Sequence, residues 1–393
     1  MPDLIIRTHK GWRIWHPTAA MFLINGVIFG MWATQIPAFK ERLGLGPFVL
    51  SLILLMLGGG TVFAMAFSAW LIRFLGVVNL IRITATFYSG FAILIPLAPG
   101  TTSLAVVVLL FGASGGSMNV AMNAIASDVE RRSGRPYMSS FHGMWSLGGF
   151  TGSGAGALLM RVSSPAIEAL TISIAMFVLF LWGQRGLFPL KQQEPAGHAH
   201  APRKTGLTLV GPALILGVMA VFAFAGEGVV LDWGAVYMKQ DLGAGSELAL
   251  MGYVAFAGSM AIMRFVGDSI RYKFSARALI CTGGLIAAFG LMVGPLSRDP
   301  VIMIAGCAIA GAGLANLVPV LFSLAGALPR PEVQIPAVST MGFGGLLAVP
   351  PLLGVLGQHY GLSTILYAGA AGDAAIAILA LSGINSSLAA CRT

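Results

Sequence analysis

Apolar runs of about twenty residues, separated by short polar segments, occupy almost the whole chain. A helix rises about 1.5 Å per residue, so a run of that length crosses the roughly 30 Å of hydrocarbon in a bilayer. Twelve such runs predict twelve transmembrane helices. In the first half they lie near 14–39, 48–71, 79–99, 103–127, 138–161 and 165–184. In the second half they lie near 207–237, 248–268, 277–296, 300–326, 333–357 and 361–383.

Composition sharpens this reading. Only 9% of the 393 residues are charged and 57% are hydrophobic, whereas a soluble domain carries about a quarter charged residues. A water-soluble fold is excluded, because hydrocarbon penalises each charge by several kcal/mol while water solvates it. The 52 glycines suit helices that approach closely in lipid. The first apolar run is long enough to span and has no small-residue cleavage site behind a short core, so it is expected to remain as the first helix.

The formal charge of +9 does not indicate nucleic acid, because Lys and Arg fall in the segments between apolar runs. With the amino terminus inside, eighteen of the 23 lie on the cytoplasmic side and five outside. This asymmetry orients the chain with both termini cytoplasmic, as a multi-pass protein of the cell's inner (plasma) membrane. Cys281, Cys307 and Cys391 offer no disulfide framework.

Between spans six and seven lies the longest polar stretch, which divides the chain into a bundle over 1–184, a linker over 185–206 and a bundle over 207–393. His198 and His200 in that linker are a weak metal signal, and a Pro-containing solvated tether is the simpler reading. Adding 199 to first-half positions aligns Leu43-Gly44 with Leu242-Gly243, Gly59 with Gly258, Pro96-Leu97 with Pro295-Leu296 and Gly112-Ala113 with Gly311-Ala312. One offset serving a whole half indicates duplication. The expected architecture is all-α, with two pseudo-symmetric six-helix bundles.

Several segments carry a more specific likeness: Gly-Met-Trp-Ala-Thr-Gln-Ile-Pro at 30–37, Asn-Val-Ala-Met-Asn at 119–123, Phe-His-Gly-Met-Trp-Ser-Leu-Gly at 141–148, Glu227-Gly228 with Asp232-Trp233, and the run from Pro350 to Gly361. Through them the chain resembles the major facilitator superfamily, and within it the YbjJ-like and MosC-like bacterial membrane proteins. The resemblance implies two parallel six-helix halves around a midplane cavity, lined in part by span seven. The loops depart from the family pattern. Between spans two and three, Ser68 stands for the family's Gly and Ile72 for its Asp, followed by Arg73. In the second half Gly267 is kept, Arg271 takes the Asp position and Asp268 follows the Gly. The missing acid's work at the inner gate is expected of Asp128 or Glu130 with the nearby arginines.

No nucleophile triad, phosphate loop or metal-ligand cluster can be assembled, so neither an enzyme nor a resident cofactor is expected. Attention falls instead on polar groups at membrane depth, which are expensive and therefore suspect. Glu227, deep in span seven, is expected to exchange the coupling proton, with His142 as a second proton-handling or gating group; a carboxylic acid bonded to a neighbouring helix is the structural alternative. Asn25, Trp32 and Gln35 on span one, Asn119 and Asn123 on span four, Trp145 on span five, Glu227 on span seven and Asn316 on span ten form the expected solute-binding set. The spacing of Asn119 and Asn123 puts both on one face. Asn316 follows Gly313 as Asn119 follows Gly116, which favours a packing role for Asn119 and leaves Asn123 freer. Gly148, Gly152 and Gly156 form a small-residue stripe on span five suited to close helix contact. Arg73, Asp128, Arg264 and Arg271 are the expected gating residues, while Asp373 in span twelve has no assigned role. The resulting reading is a monomeric secondary transporter moving a small polar, sugar-like, cyclitol-like or amino-bearing solute with protons by alternating access. An exporter of amphipathic compounds and a solute sensor that does not transport are the alternatives.

Overall fold

The computed structural model describes residues 2–45, 47–187 and 211–382. The linker expectation, including His198 and His200, lies almost wholly outside the described residues. Six helices form the first half: α1 (Pro2–Arg42), α2 (Pro47–Leu75), α3 (Val77–Leu94), α4 (Thr101–Ser133), α5 (Met138–Val162) and α6 (Pro165–Gly183), followed by a short 3₁₀ turn over Gln184–Leu187. The second half comprises α7 (Gly211–Gly228), a π-helical turn (Val229–Gly234), α8 (Ala235–Gln240), α9 (Ser246–Lys273), α10 (Ala276–Ser297), α11 (Pro300–Leu314), α12 (Leu317–Ala327), α13 (Pro331–Tyr360) and α14 (Ser363–Ser382). Among the described residues ten segments are long and apolar enough to cross a membrane. Two further long helices are α5, with 25 residues, and α9, with 28. The first is rich in Gly and Ser, and the second carries Arg264, Asp268, Arg271 and Lys273.

Two spans expected to be continuous are broken. Span seven passes through the π turn just after Glu227. Span ten breaks at Ala315–Asn316, between α11 and α12. Pro319 explains the second break: it has no N–H for the carbonyl of Ala315 four residues back, and its ring crowds that carbonyl. Helix α4 runs past its apolar stretch to Ser133, where Gly134 ends it in the left-handed region with φ 65°.

The chain folds into two compact units. One contains Met1–Arg135, Met144–Leu209 and Arg330–Pro336; the other contains Pro136–Gly143, Val210–Pro329 and Ala337–Thr393. Their internal geometry repeats. The starts of α2 and α9, of α3 and α10, and of α4 and α11 are each 199 residues apart, at Pro47 and Ser246, Val77 and Ala276, Thr101 and Pro300. Close contacts repeat as well. A Cβ added to Gly112 would strike the carbonyl oxygen of Leu57, and one added to Gly311 would strike that of Phe256, two pairs related by the same offset.

Backbone-to-backbone packing is what holds α1 to α5. Gly26 and Gly30 sit on the backbone of Trp145 and Gly149, and Gly148 and Gly152 sit on that of Leu23 and Val27. Lipid offers no hydrophobic gain for helix association, so stability comes from this close dispersion contact. Gly152→Leu is therefore expected to lower the melting temperature markedly, with an overpacking penalty of about 1–3 kcal/mol or more. Gly154, two residues on, faces open space. Gly154→Leu should leave the melting temperature near wild type, and equal effects at both positions would contradict this packing.

Candidate functional site

The most concentrated charge inside the membrane-spanning helices gathers in the second unit. Arg264 on α9 is 6% exposed. Its Nη2 lies 3.6 Å from Oε1 of Glu227 at the end of α7. Its Nε donates to the carbonyl of Ala315 at 3.3 Å, the carbonyl that Pro319 leaves without a helical partner. A proline-made break in one helix thus provides a ligand for a buried guanidinium on another. Glu227 Oε1 is enclosed and receives no hydrogen bond among the described residues.

At about 4 Å and an effective dielectric of about 20, two unit charges attract by about 4 kcal/mol. Desolvation takes several kcal/mol from each ion. The Glu227–Arg264 pair, lacking the paired bonds of a bidentate fork, is accordingly poised rather than clamped. The π turn beginning at Val229 also places Asp232 at the surface, and Trp233 lies against Gly354 with its indole N–H enclosed and without a hydrogen-bond partner among the described residues. Irregular turns of this kind concentrate at functional sites in membrane helices.

The repeat supplies an internal control. Subtracting 199 from Glu227 and Arg264 gives Ile28 and Met65, both fully buried in the first unit. The same architecture therefore stands with two apolar side chains there, so the charges are an addition to the fold rather than a requirement of it.

Other predicted residues divide among several sites. Arg264, one of the expected gating residues, lies beside Glu227. His142 is 8% exposed, stacks 5.9 Å from Phe322 and interacts electrostatically with Arg264. Asn316 donates from Nδ2 to the carbonyl of Met263 at 3.0 Å and packs against Gly267. Its repeat-related contact is that of Ser68 with Ser117, 3.3 Å apart, so Ser117 rather than Asn119 is its counterpart.

In the first unit, Asn25 Oδ1 accepts the indole N–H of Trp145 at 2.9 Å, and Phe29 packs 5.8 Å from that ring. Asn25 Nδ2 is enclosed without a partner among the described residues. Trp32 is buried between Phe39 and Phe111. Asn123 is fully buried and donates to the carbonyl and side-chain oxygens of Asn119 at 2.8 and 3.1 Å, while Asn119 is half-buried. Asn123, expected to be the freer amide, is thus the more enclosed of the two.

Gln35 lies apart from these. It is fully buried, and its amide donates to the carboxylate of Glu168 and to the carbonyl of Pro165 at 2.9 Å. Thr34 also donates to Glu168, at 2.5 Å. Gly156 leaves the space that Glu168 Oε1 fills. The sequence reading missed Glu168 because an acid in the first turn after Ser164-Pro165 looks like an ordinary dipole-facing residue. It also missed Asp268, whose carboxylate accepts the first free N–H groups of α5, from Ser139 at 3.0 Å and Ser140 at 2.8 Å. Among the gating set, Asp128 pairs with Arg131 at 3.0 Å and Arg132 at 2.6 Å, Arg271 donates to Ser323, and Arg73 is exposed.

This arrangement, apolar helical spans in a duplicated chain with a buried ion pair among the described residues, is that of a multi-pass membrane protein. A sequence profile of the Major Facilitator Superfamily matches residues 104–334. The chain is 31% identical over 351 residues to the uncharacterized transporter y4wD of Sinorhizobium fredii, covering 88% of this chain and 91% of that one. It is 27% identical over 350 residues to the membrane protein MosC of Rhizobium meliloti, covering 88% and 84%. The chain belongs to the Major Facilitator Superfamily. Its fold is similar to that of the proton:xylose symporter XylE bound to 6-bromo-6-deoxy-D-glucose, with a TM-score of 0.78 at 13% identity over 96% of each chain, and to that of a double-Trp XylE mutant, with a TM-score of 0.74 at 14% identity over 94% of this chain and 95% of that one; these similarities concern the fold.

Proposed function

We propose that this transporter moves a small polar solute of the sugar or cyclitol class together with protons, by alternating access, as a monomer in a bacterial inner membrane with both termini cytoplasmic. The observation that carries the reading is the Glu227–Arg264 pair: an acid and a base at membrane depth, 3.6 Å apart, where the first half of the same chain has Ile28 and Met65. Such a pair has two states of similar free energy, joined or separated with the acid protonated, and coupling requires that solute favour one of them. Asn25, Trp145 and half-buried Asn119 are the groups we assign to the solute, since amides and an indole suit hydroxyls on a ring. The sugar symport named for the structural neighbours XylE and FucP supports the class.

The test is transport in proteoliposomes containing the purified chain. Labelled pentoses, hexoses and inositols are offered with the lumen more alkaline than the outside. Accumulation above equilibrium, abolished by a proton ionophore, is the expected outcome. Binding with no exchange of any solute would favour a sensor, and uptake indifferent to the pH gradient would remove the proton.

A further inference from the structure

We propose that Asp373 is a proton-binding site, loaded through Glu227, and that it holds a proton while Glu227 is paired with Arg264. The proposal rests on the reading of Glu227 as the proton-exchanging group, but it can be tested without a solute. Asp373 lies midway along α14 and is 0% exposed. Both of its carboxyl oxygens are enclosed and have no hydrogen-bond partner among the described residues. The carboxyl lies face-on against Gly226: a Cβ at that glycine would stand 2.6 and 2.8 Å from its two oxygens. No side chain separates it from the backbone that leads directly to Glu227, which acts on it electrostatically.

The charged and titratable groups on the elements packed against α14 leave no cation facing Asp373. On α10, Arg277 donates to the carbonyl of Leu381 at 2.7 Å, and the Cys281 thiol to that of Ala377 at 3.6 Å, two turns and one turn beyond. On the π turn, Asp232 is exposed. On α7 the charged group is Glu227, and on α14 itself Tyr367 is the other titratable side chain.

An ionised carboxyl so enclosed, without a donor or a cation and beside a second acid, would carry the full desolvation penalty of a buried charge. A bound proton removes it. The cluster is then neutral: one guanidinium, one carboxylate on Glu227 and one carboxylic acid on Asp373. The Glu227 side chain is 15% exposed and Asp373 is not, so Glu227 is the member of the pair through which a proton can come and go. A proton taken up by Glu227 while Arg264 is away passes to Asp373 whenever that carboxyl is ionised, and the negative charge passes the other way, to the more exposed carboxyl. No bond other than the two O–H bonds changes.

The experiment is infrared difference spectroscopy on the full chain in nanodiscs, recorded in potassium chloride across a pH titration. The wild type should show at neutral pH the high-frequency carbonyl stretch of a carboxylic acid free of hydrogen bonds, shifted downward in D₂O. Asp373→Asn should lose that band entirely, and Glu227→Gln should retain it. Gly226→Ala is a second route, since its methyl displaces the carboxyl without removing it; the band should move in frequency. A wild type without the band, a band that survives Asp373→Asn, or a band abolished by replacing potassium with sodium at constant pH would each overturn the proposal. A band that behaves as expected in a protein whose transport ignores the pH gradient would sink the proton-coupled reading and leave the site standing.

Discussion

Glu227→Gln is expected to abolish accumulation of solute against its gradient while leaving counterflow at least partly intact. The amide keeps the size and hydrogen bonding of the acid but cannot gain or lose a proton, so the carrier still cycles but loses its driving ion. Arg264 keeps a polar neighbour in this variant, and its bond to Ala315 is unaffected. Glu227→Ala should damage both activities, because it leaves the guanidinium without any partner on α7. The measurement is paired uptake and exchange in the same proteoliposomes, with accumulation expected to fall to the equilibrium level. A glutamine variant that still accumulates solute with the wild-type dependence on pH gradient would show that the coupling proton is carried elsewhere.

Arg264→Met should be among the most destabilising single changes in the second unit. It removes the cation facing Glu227 and the donor to Ala315, and breaking a buried pair from one side costs about 3–5 kcal/mol. Methionine and isoleucine are the residues at the repeat-related positions, Met65 and Ile28, both fully buried. The double variant Glu227→Ile with Arg264→Met therefore installs the first half's apolar pair in the second. It is expected to recover most of the lost melting temperature and none of the gradient-driven transport. Thermal unfolding in detergent of the single and double variants measures this directly. If the double variant were no more stable than Arg264→Met alone, the pair would not be the unit that carries the energy, and the internal comparison would fail.

The membrane-spanning pattern is legible because each span must satisfy its own backbone and bury about twenty apolar residues. The repeat is legible for the same reason: Gly44 and Gly243 take positive φ at the same point of each half, 57° and 66°, and helix starts follow at a constant offset. Glu227 stands out in the sequence because a charge at that depth is costly wherever it points. Asp373 stands out equally, yet its surroundings do not. Glu168, placed one turn into a helix, resembles a surface residue until α1 is laid against it. Pro319 signals a helix break in the sequence, but not that the freed carbonyl receives Arg264.

What the sequence by itself determined is thus one-dimensional: how many helices, how long, which half repeats which, and which residues are too polar for lipid. Which of these residues meet was decided only by tertiary structure. A soluble helix shows its inner face as an apolar stripe, whereas these helices are apolar on nearly every side and carry no such marker. Rotation of each helix is set instead by where glycines leave room for a neighbour, its backbone at Gly152 beside Val27, or a carboxyl at Gly226 beside Asp373 and Gly156 beside Glu168. Those contacts bring Gln35 to Glu168 and Asp373 to the backbone beside Glu227, which pairs with Arg264.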